Sequence, residues 1–344
     1  MRNVFAGALA ALSILTSGQA AAKEILYIHN TYSGVVSKIS VPEHEVLGEI
    51  EIGYYMDYLA ASPDGKILYV NRIDGDLPGA RARNVGVSGE LIAVSTRTDE
   101  ILWRVTLDGM PHHMSVSPDG RRVFVPYYDT WWVVVVDTET KEIVKKIWVG
   151  HGSHGTKLNA DGTRLYVGSM MNDTMTIIDT ETLKVVDVIG FRAAVRPFDF
   201  HDDESVMYVQ QSWLHGFVRV DMESKEQRTV MLPTFGKDIP PPSFYPHNVN
   251  HGILLSHDEK KLWVNGSALD FVAVYNVNDL ELEATISVGS DPNSITFSID
   301  GRYAYISNRK SDDLSVIDTA LMKEVKRIKL KKYPQRMVVI DVPD

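Results

Sequence analysis

The chain has 344 residues, no cysteine and a formal net charge of −10 at pH 7. The lack of cysteine excludes disulfides, thiolate catalysis, iron–sulfur clusters, cysteine-ligated zinc and c-type haem attachment. The acidic balance, with no basic run interleaved with aromatic residues, argues against nucleic acid as the main partner.

The first 22 residues have the pattern of a secretory signal peptide. Arg2 supplies the positive charge, residues 4–15 form an apolar stretch, and three alanines at 20–22 form a small-residue cleavage site. We therefore expect export to the periplasm or the medium, no membrane span after cleavage, and a single domain over residues 23–344.

One short pattern recurs seven times along the remaining chain. Each copy has a triplet of strand-forming residues, and most copies have an Asp-Gly-type turn just before it. The triplets are centred on Tyr27, Tyr69, Phe124, Tyr166, Tyr208, Trp263 and Tyr305. The turn aspartates are Asp64, Asp119, Asp161, Asp203, Asp258 and Asp300, at spacings of 55, 42, 42, 55 and 42. A β-rich period near 42 predicts an all-β propeller with one four-stranded blade per repeat.

The two ends of the chain complement each other. Residues 24–53 supply only three strands of a blade, and residues 335–341 supply the missing innermost strand. Asp341 lies 41 residues after Asp300, in phase with the repeat. The sequence thus predicts seven blades and a ring closed by pairing of the C-terminal strand with the N-terminal blade, which removes two free sheet edges.

The best-preserved copies carry a longer motif. A Pro-His pair or its equivalent leads to Ser-Pro-Asp-Gly, then the triplet, an apolar strand ending in Asp-Thr, and Val-Gly; the copies at 111–150, 159–190 and 292–330 are the clearest. This motif resembles the bacterial YVTN-type β-propeller repeat, which is similar to WD40 repeats. The resemblance implies a seven-bladed periplasmic or surface protein that binds ligands or serves quinone-associated pathways, and it implies no single catalytic motif.

Polar residues occupy one shared position of the repeat, seven residues before each turn aspartate. They are Asp57, His112, His154, Arg196, His251 and Asn293. At this position the first strand of each blade begins at one face of the ring, here called the top face, so we expect these side chains to meet in a pocket at the channel mouth. Two of the repeats are 13 residues longer than the others, and the extra residues fall within 74–89 and 234–248 on the same face; long loops on a rigid scaffold often carry function.

The histidines of this set are candidate metal ligands. His112, His154 and His251 converge from different blades, with His113 and His247 as additional candidates. Neutral imidazole suits Zn, Cu, Fe or Ni. Two alternatives stay open: the histidines are structural parts of the repeat, or they bind a ligand or transfer protons without a metal.

Several other top-face residues are candidates for ligand binding. Arg72, Arg196 and Arg309 have the geometry to hold a carboxylate or phosphate. Tyr127 is placed to stack on a ligand. Ion pairs with surface acids and packing at blade junctions are the alternative roles of these residues.

Together these features predict a periplasmic propeller that binds a small ligand or a transition metal at a His/Arg-lined channel mouth, as an accessory component of a redox or catabolic pathway with a periplasmic redox protein as partner. Two other functions stay open. One is a metal-dependent oxidoreductase or lyase, in which the histidines hold the ion and Arg196 orients an anionic substrate. The other is a scaffold for protein interactions.

Overall fold

The computed structural model describes residues 23–73, 88–239 and 249–343. Over these ranges the chain forms 28 strands in seven four-stranded antiparallel sheets, arranged as the blades of a propeller, with no helix. The prediction of an all-β, seven-bladed propeller is confirmed. Accordingly, the described ranges contain no helix that could span a membrane. The expected signal peptide at 1–22 and most of the two insertions lie outside these ranges.

The strands follow one order in every blade, from the channel outward. Blade 1 contains β28 (Pro334–Val342), β1 (Lys23–Asn30), β2 (Val35–Ser40) and β3 (Val46–Glu51). Blade 2 contains β4 (Met56–Ala61), β5 (Ile67–Ile73), β6 (Gly89–Ser95) and β7 (Ile101–Leu107). Blade 3 contains β8 (Ser115–Val116), β9 (Arg122–Pro126), β10 (Trp132–Asp137) and β11 (Glu142–Trp148). Blade 4 contains β12 (Ser153–Leu158), β13 (Arg164–Ser169), β14 (Thr174–Asp179) and β15 (Lys184–Gly190). Blade 5 contains β16 (Val195–Phe200), β17 (Val206–Gln211), β18 (Gly216–Asp221) and β19 (Gln227–Met231). Blade 6 contains β20 (Ile253–Leu255), β21 (Lys261–Gly266), β22 (Phe271–Asn276) and β23 (Leu282–Ser287). Blade 7 contains β24 (Pro292–Phe297), β25 (Tyr303–Asn308), β26 (Asp313–Asp318) and β27 (Lys323–Lys329).

The repeated turn fixes the register between the first two strands of a blade. In blade 2, Gly65 adopts a φ of +69°, a conformation that glycine reaches without strain. Asp64 Oδ1 accepts hydrogen bonds from Ser62 Oγ at 2.6 Å and from the Lys66 amide at 3.2 Å. The same Ser–Asp bond recurs in other blades, so the turn is set by local contacts that the sequence pattern encodes.

The C-terminal strand closes the ring. β28 pairs antiparallel with β1, with Lys23 opposite Val342, Leu26 opposite Val339 and Ile28 opposite Met337. The predicted innermost strand of blade 1 is therefore confirmed, and no inner sheet edge is left open there.

The apolar core lies between neighbouring blades. One cluster combines Tyr27 of blade 1 with Leu68 and Ile92 of blade 2, and all three are fully buried. The first strands of the blades surround the central channel, so side chains at the same height on different blades face each other across it. This geometry positions the candidate site.

Candidate functional site

Four imidazoles meet inside the channel, near the top of the first strands. The ring centroids of His113 and His154 are 4.1 Å apart, those of His112 and His154 5.1 Å, and those of His154 and His251 6.0 Å. All four side chains are buried. We call this set the imidazole cluster: His112, His113, His154 and His251.

Backbone contacts between blades bring these rings together. The His113 amide donates to the His154 carbonyl at 3.1 Å, and the Thr156 amide donates to the His113 carbonyl at 3.2 Å. Blades 3 and 4 therefore touch directly at this height. On the opposite side, Gly252 adopts a φ of +99°, and a Cβ there would lie 2.7 Å from the Asn293 carbonyl oxygen, so only glycine permits this approach of blades 6 and 7 beside His251.

Three members of the cluster can converge on one ion. His112, His113 and His154 each offer a nitrogen, and these atoms lie within 4.8 Å of one another. Nε2 of His112 and Nδ1 of His154 are buried and have no hydrogen-bond partner. Two nitrogens of a tetrahedral zinc site are roughly 3.3–3.4 Å apart, so the most distant pair must approach by up to about 1.5 Å to ligate a metal. Buried nitrogens without partners are rare, and an ion that accepts their lone pairs is one explanation.

A carboxylate stands behind one of these rings. Asp57 Oδ2 lies 2.9 Å from His112 Nδ1, a close contact whose alignment is poor for a hydrogen bond. The negative charge favours a proton on Nδ1, which leaves the lone pair on Nε2. Carboxylates commonly orient metal-binding imidazoles in this way.

Arg336, on the closing strand β28, is a residue of this cluster that sequence reasoning missed. Its Nη2 donates to His113 Nε2 at 2.6 Å and to His251 Nε2 at 2.9 Å. The available signal was its position: it lies two residues after Pro334, which is seven residues before Asp341 and so shares the repeat phase of the other channel residues. The guanidinium fills the space between His113 and His251, so the structure groups His251 with Arg336 and the other three imidazoles with each other.

Burial and nearby positive charge lower the pKa of three imidazoles, those of His113, His154 and His251. Desolvation, followed by the charge of Arg336, holds the pKa of His113 and of His251 well below the ordinary value. Desolvation and the neighbouring His112 do the same to the pKa of His154. These rings are therefore neutral near pH 7, and neutral imidazole is the form that binds metals.

A cavity of about 420 Å³ opens beside the cluster. His113, Tyr58 and Arg336 line its upper end, and Tyr58 stacks on His113 with ring centroids 4.8 Å apart. Further down the first strands, a second cavity shares Lys157 and Asp199 with the first and reaches the Asp-Gly turns. The cavity formed by the described residues thus extends toward the bottom face, whereas the sequence analysis placed the pocket at the top mouth.

An apolar cluster lies on the top side of the imidazoles. It contains Met110, Tyr128 and Met170 from the top-face connections of three blades. Tyr128 contacts His112, with ring centroids 5.0 Å apart. This packing separates the imidazoles from the top face and explains their burial.

The other residues of the shared repeat position also lie near the cluster. Arg196 is buried, and it donates from Nε to Ser212 Oγ at 3.0 Å and from Nη1 to Met170 Sδ at 3.0 Å. The Asn293 carbonyl oxygen lies 3.1 Å from His251 Nδ1, and Arg336 Nη1 lies 3.2 Å from the same nitrogen.

None of the six predicted ligand-binding residues lines this cavity, and three of them are held in contacts elsewhere. Arg72 Nε donates to Glu90 at 2.7 Å. Arg309 forms a two-bond ion pair with Asp291, at 2.8 and 3.1 Å. Tyr127 is buried in the core between blades, where its hydroxyl donates to Asp108 at 3.3 Å. These contacts correspond to the structural roles that the sequence analysis held as alternatives. His247 lies outside the described residues.

Comparison with known proteins places this site in a family. Residues 45–329 match the family described as "Lactonase, 7-bladed beta-propeller". The chain belongs to this lactonase propeller family. The match covers most of the sequence, and the finer assignment to YVTN-type repeats stays a prediction. Comparison with curated proteins finds no match.

Solved structures similar to this lactonase-family protein share its fold at low sequence identity. The Pseudomonas aeruginosa periplasmic gluconolactonase PpgL is 18% identical, with a TM-score of 0.71 over 93% of this chain and 100% of that one. The Kuenenia stuttgartiensis hydrazine synthase is 17% identical, with a TM-score of 0.71 over 90% of this chain and 99% of that one. The dihydro-heme d1 dehydrogenase NirN is 16% identical, with a TM-score of 0.62 over 91% of this chain and 74% of that one. These likenesses concern the fold, on which activities differ widely.

Proposed function

We propose that this protein binds a transition-metal ion in its central channel through His112, His113 and His154. The observation that carries the proposal is the convergence of three buried imidazole nitrogens within 4.8 Å, two of the rings having a nitrogen without a hydrogen-bond partner. An all-imidazole donor set favours Zn, Cu, Ni or Fe over Mg or Ca. The proposal retains the transition metal expected from the sequence, with His113 in place of His251 as the third ligand.

The ligand atoms follow from the surroundings of each ring. His112 offers Nε2, because Asp57 faces its Nδ1. His154 offers Nδ1, the nitrogen that lacks a partner. His251 is set aside because its Nδ1 faces a backbone carbonyl and its Nε2 accepts from Arg336.

We also propose a periplasmic location and a role in a catabolic or redox pathway. The signal-like pattern of residues 1–22 supports the location, as does the similarity in fold to PpgL, the periplasmic gluconolactonase of P. aeruginosa.

Metal binding is tested with untagged, chelator-treated protein and Zn²⁺, by calorimetry and elemental analysis after desalting. Wild type is expected to bind one equivalent. The double variant His112→Gln/His154→Gln is expected to bind none at the cluster, because two of three ligands are lost. His151→Gln is the matched control, since His151 lies beside Trp131, with ring centroids 5.4 Å apart, and is not among the three converging imidazoles. Less than one equivalent in wild type, or one retained in the double variant, contradicts the proposal.

Lactone hydrolysis is a second candidate function, and membership of the lactonase family is the observation that favours it. The reaction adds water to the ester carbonyl, breaks the ring C–O bond and releases a hydroxycarboxylate. The pair of Asp57 and His112 has the composition of a general base and its orienting carboxylate, and Arg336 is a cation able to stabilise developing negative charge.

The assay for this candidate is hydrolysis of glucono-δ-lactone, followed by acid release at constant pH with and without Zn²⁺. Activity above the spontaneous rate that is lost in His112→Gln supports the candidate. A rate equal to the protein-free rate under both conditions rejects it for this substrate.

A further inference from the structure

Arg336 is a buried cation, and among the described residues no carboxylate forms an ion pair with it. The residue is 8% exposed, and among the described residues its hydrogen-bond partners are the rings of His113 and His251. Its Nε is buried with no partner. Burial lowers the pKa of Arg336 to about 10, although the charge of Asp57 acts in the opposite direction. A buried charge of this kind is costly until an opposite charge joins it.

Two arginines of the top face have the carboxylate partner that Arg336 lacks among the described residues. Arg309 has the two-bond pair with Asp291, and Arg72 has Glu90. The imidazole nitrogens that face Arg336 are neutral acceptors, so they satisfy hydrogen-bond donors without balancing the charge.

The cavity beside Arg336 sets the size and character of a ligand. Its volume of about 420 Å³ is in the range of small-molecule sites. Phe198, Ile253 and Ile295 give it apolar walls below the guanidinium. A small organic anion fits this combination, with its charged end at Arg336 and its apolar body further down the channel.

Metal binding at the imidazole cluster changes the donors that Arg336 can offer. A neutral imidazole has one lone pair, and in His113 the Nε2 lone pair accepts from Arg336 Nη2 at 2.6 Å. If the metal takes Nε2, the lone pair is used directly. If it takes Nδ1, the ring proton moves to Nε2, which then no longer accepts. Whichever nitrogen of His113 binds the metal, the hydrogen bond between His113 and Arg336 is therefore broken.

We propose that Arg336 anchors a site for a small organic carboxylate, and that a metal on the imidazole cluster strengthens this site by releasing the guanidinium from His113. The inference rests on the proposed metal-binding function. The released Nη2 and the unpartnered Nε can donate to the two oxygens of one carboxylate, the bidentate geometry that guanidinium favours. Because binding free energies are linked, the carboxylate must strengthen metal binding by the same factor.

The test is calorimetric titration of benzoate, and of benzamide as its neutral isostere, into chelator-treated and Zn²⁺-loaded protein. We expect benzoate to bind the Zn²⁺-loaded form roughly 5- to 150-fold more tightly than the metal-free form, the usual range of coupling between sites. Benzamide should show no such gain. Inorganic phosphate, as a third ligand, tests whether any anion suffices; binding as tight as that of benzoate overturns the assignment to an organic carboxylate.

Variants separate Arg336 from direct binding of benzoate to the metal. Arg336→Gln should keep Zn²⁺ binding and lose the benzoate gain, while Arg336→Lys should keep part of it, because it retains the charge without the bidentate fork. Arg121→Gln, an exposed arginine on a bottom-face turn, should behave as wild type. Thermal unfolding shows whether each variant is folded, and the wild-type comparison of benzoate with benzamide does not depend on any variant.

Equal benzoate affinity with and without Zn²⁺, or an unchanged gain in Arg336→Gln, overturns this inference alone. Failure of Zn²⁺ to bind wild type overturns the metal-binding function and this inference together.

Discussion

The stability of the metal-free protein should fall steeply between pH 7.5 and pH 5.5. His113, His154 and His251 are buried and have pKa values well below 6.5 in the folded protein. In the unfolded chain their pKa values return to about 6.5. Below that pH the unfolded state binds protons that the folded state does not, so stability is lost as pH falls.

The size of this stability loss follows from the histidine pKa in the unfolded chain alone. Lowering the pH from 7.5 to 5.5 costs about 1.4 kcal/mol for each histidine that stays neutral in the folded state. Three such rings give a loss of about 4 kcal/mol, a large share of a typical stability of about 5–15 kcal/mol. The turn aspartates have lowered pKa values, Asp119 through the hydroxyl of Ser117 for example, and their contribution is lost only at lower pH, outside this window.

The measurement is urea unfolding followed by circular dichroism at pH 7.5, 6.5 and 5.5, with a chelator present. His251→Gln should lose about 1.4 kcal/mol less than wild type over this range, whatever its stability at pH 7.5. His257→Gln, at an exposed position on the bottom face, serves as the control. A loss below about 1 kcal/mol in wild type, or the same loss in His251→Gln as in wild type, would refute the reasoning.

Three further predictions address ring closure, a turn and the metal site. Deleting residues 334–344 removes β28, so the ring opens and the shortened protein should unfold well below the full-length melting temperature; equal melting would contradict the closure argument. Gly65→Ala places a Cβ against a backbone carbonyl of the closing strand, so it should lower the free energy of unfolding more than Gly236→Ala, where φ is similar but no atom lies within 4 Å of the new Cβ. The φ strain alone costs about 1 kcal/mol at either position. Equal unfolding free energies of the two variants would show that the close approach at Gly65 is unimportant. Asp57→Asn should weaken Zn²⁺ binding roughly 10- to 100-fold, because the carboxylate 2.9 Å from His112 Nδ1 is removed; unchanged calorimetric affinity would exclude this orienting role.

The architecture was predictable because its determinants are local and repeated. An Asp-Gly turn such as that at Gly65 is stabilised by groups within a few residues, and alternating strand residues follow from the pleat. The phase of Asp341 then placed the closing strand. Quasi-symmetry also explains why Asp57, His112 and His154 were expected together: equivalent repeat positions lie at one height around the channel.

The direction of individual side chains was decided by the tertiary structure. The first-strand pairings shift register near this height, between Met56 and Tyr58 in blade 2, for example, and between Ser153 and Gly155 in blade 4. A register shift breaks the two-residue alternation, so adjacent residues can both face the axis. The repeat pattern fixes the height of His113 without showing that it turns inward.

Contacts between residues far apart in the sequence determine the partners of the arginines. Arg336 reaches His113 across 223 residues of sequence, and Arg309 is held by Asp291, a partner outside the repeat position that marked the site. A repeat period specifies which residues share a ring around the axis. It carries no information on which of several equivalent cations finds a carboxylate, because that depends on distances across the closed channel.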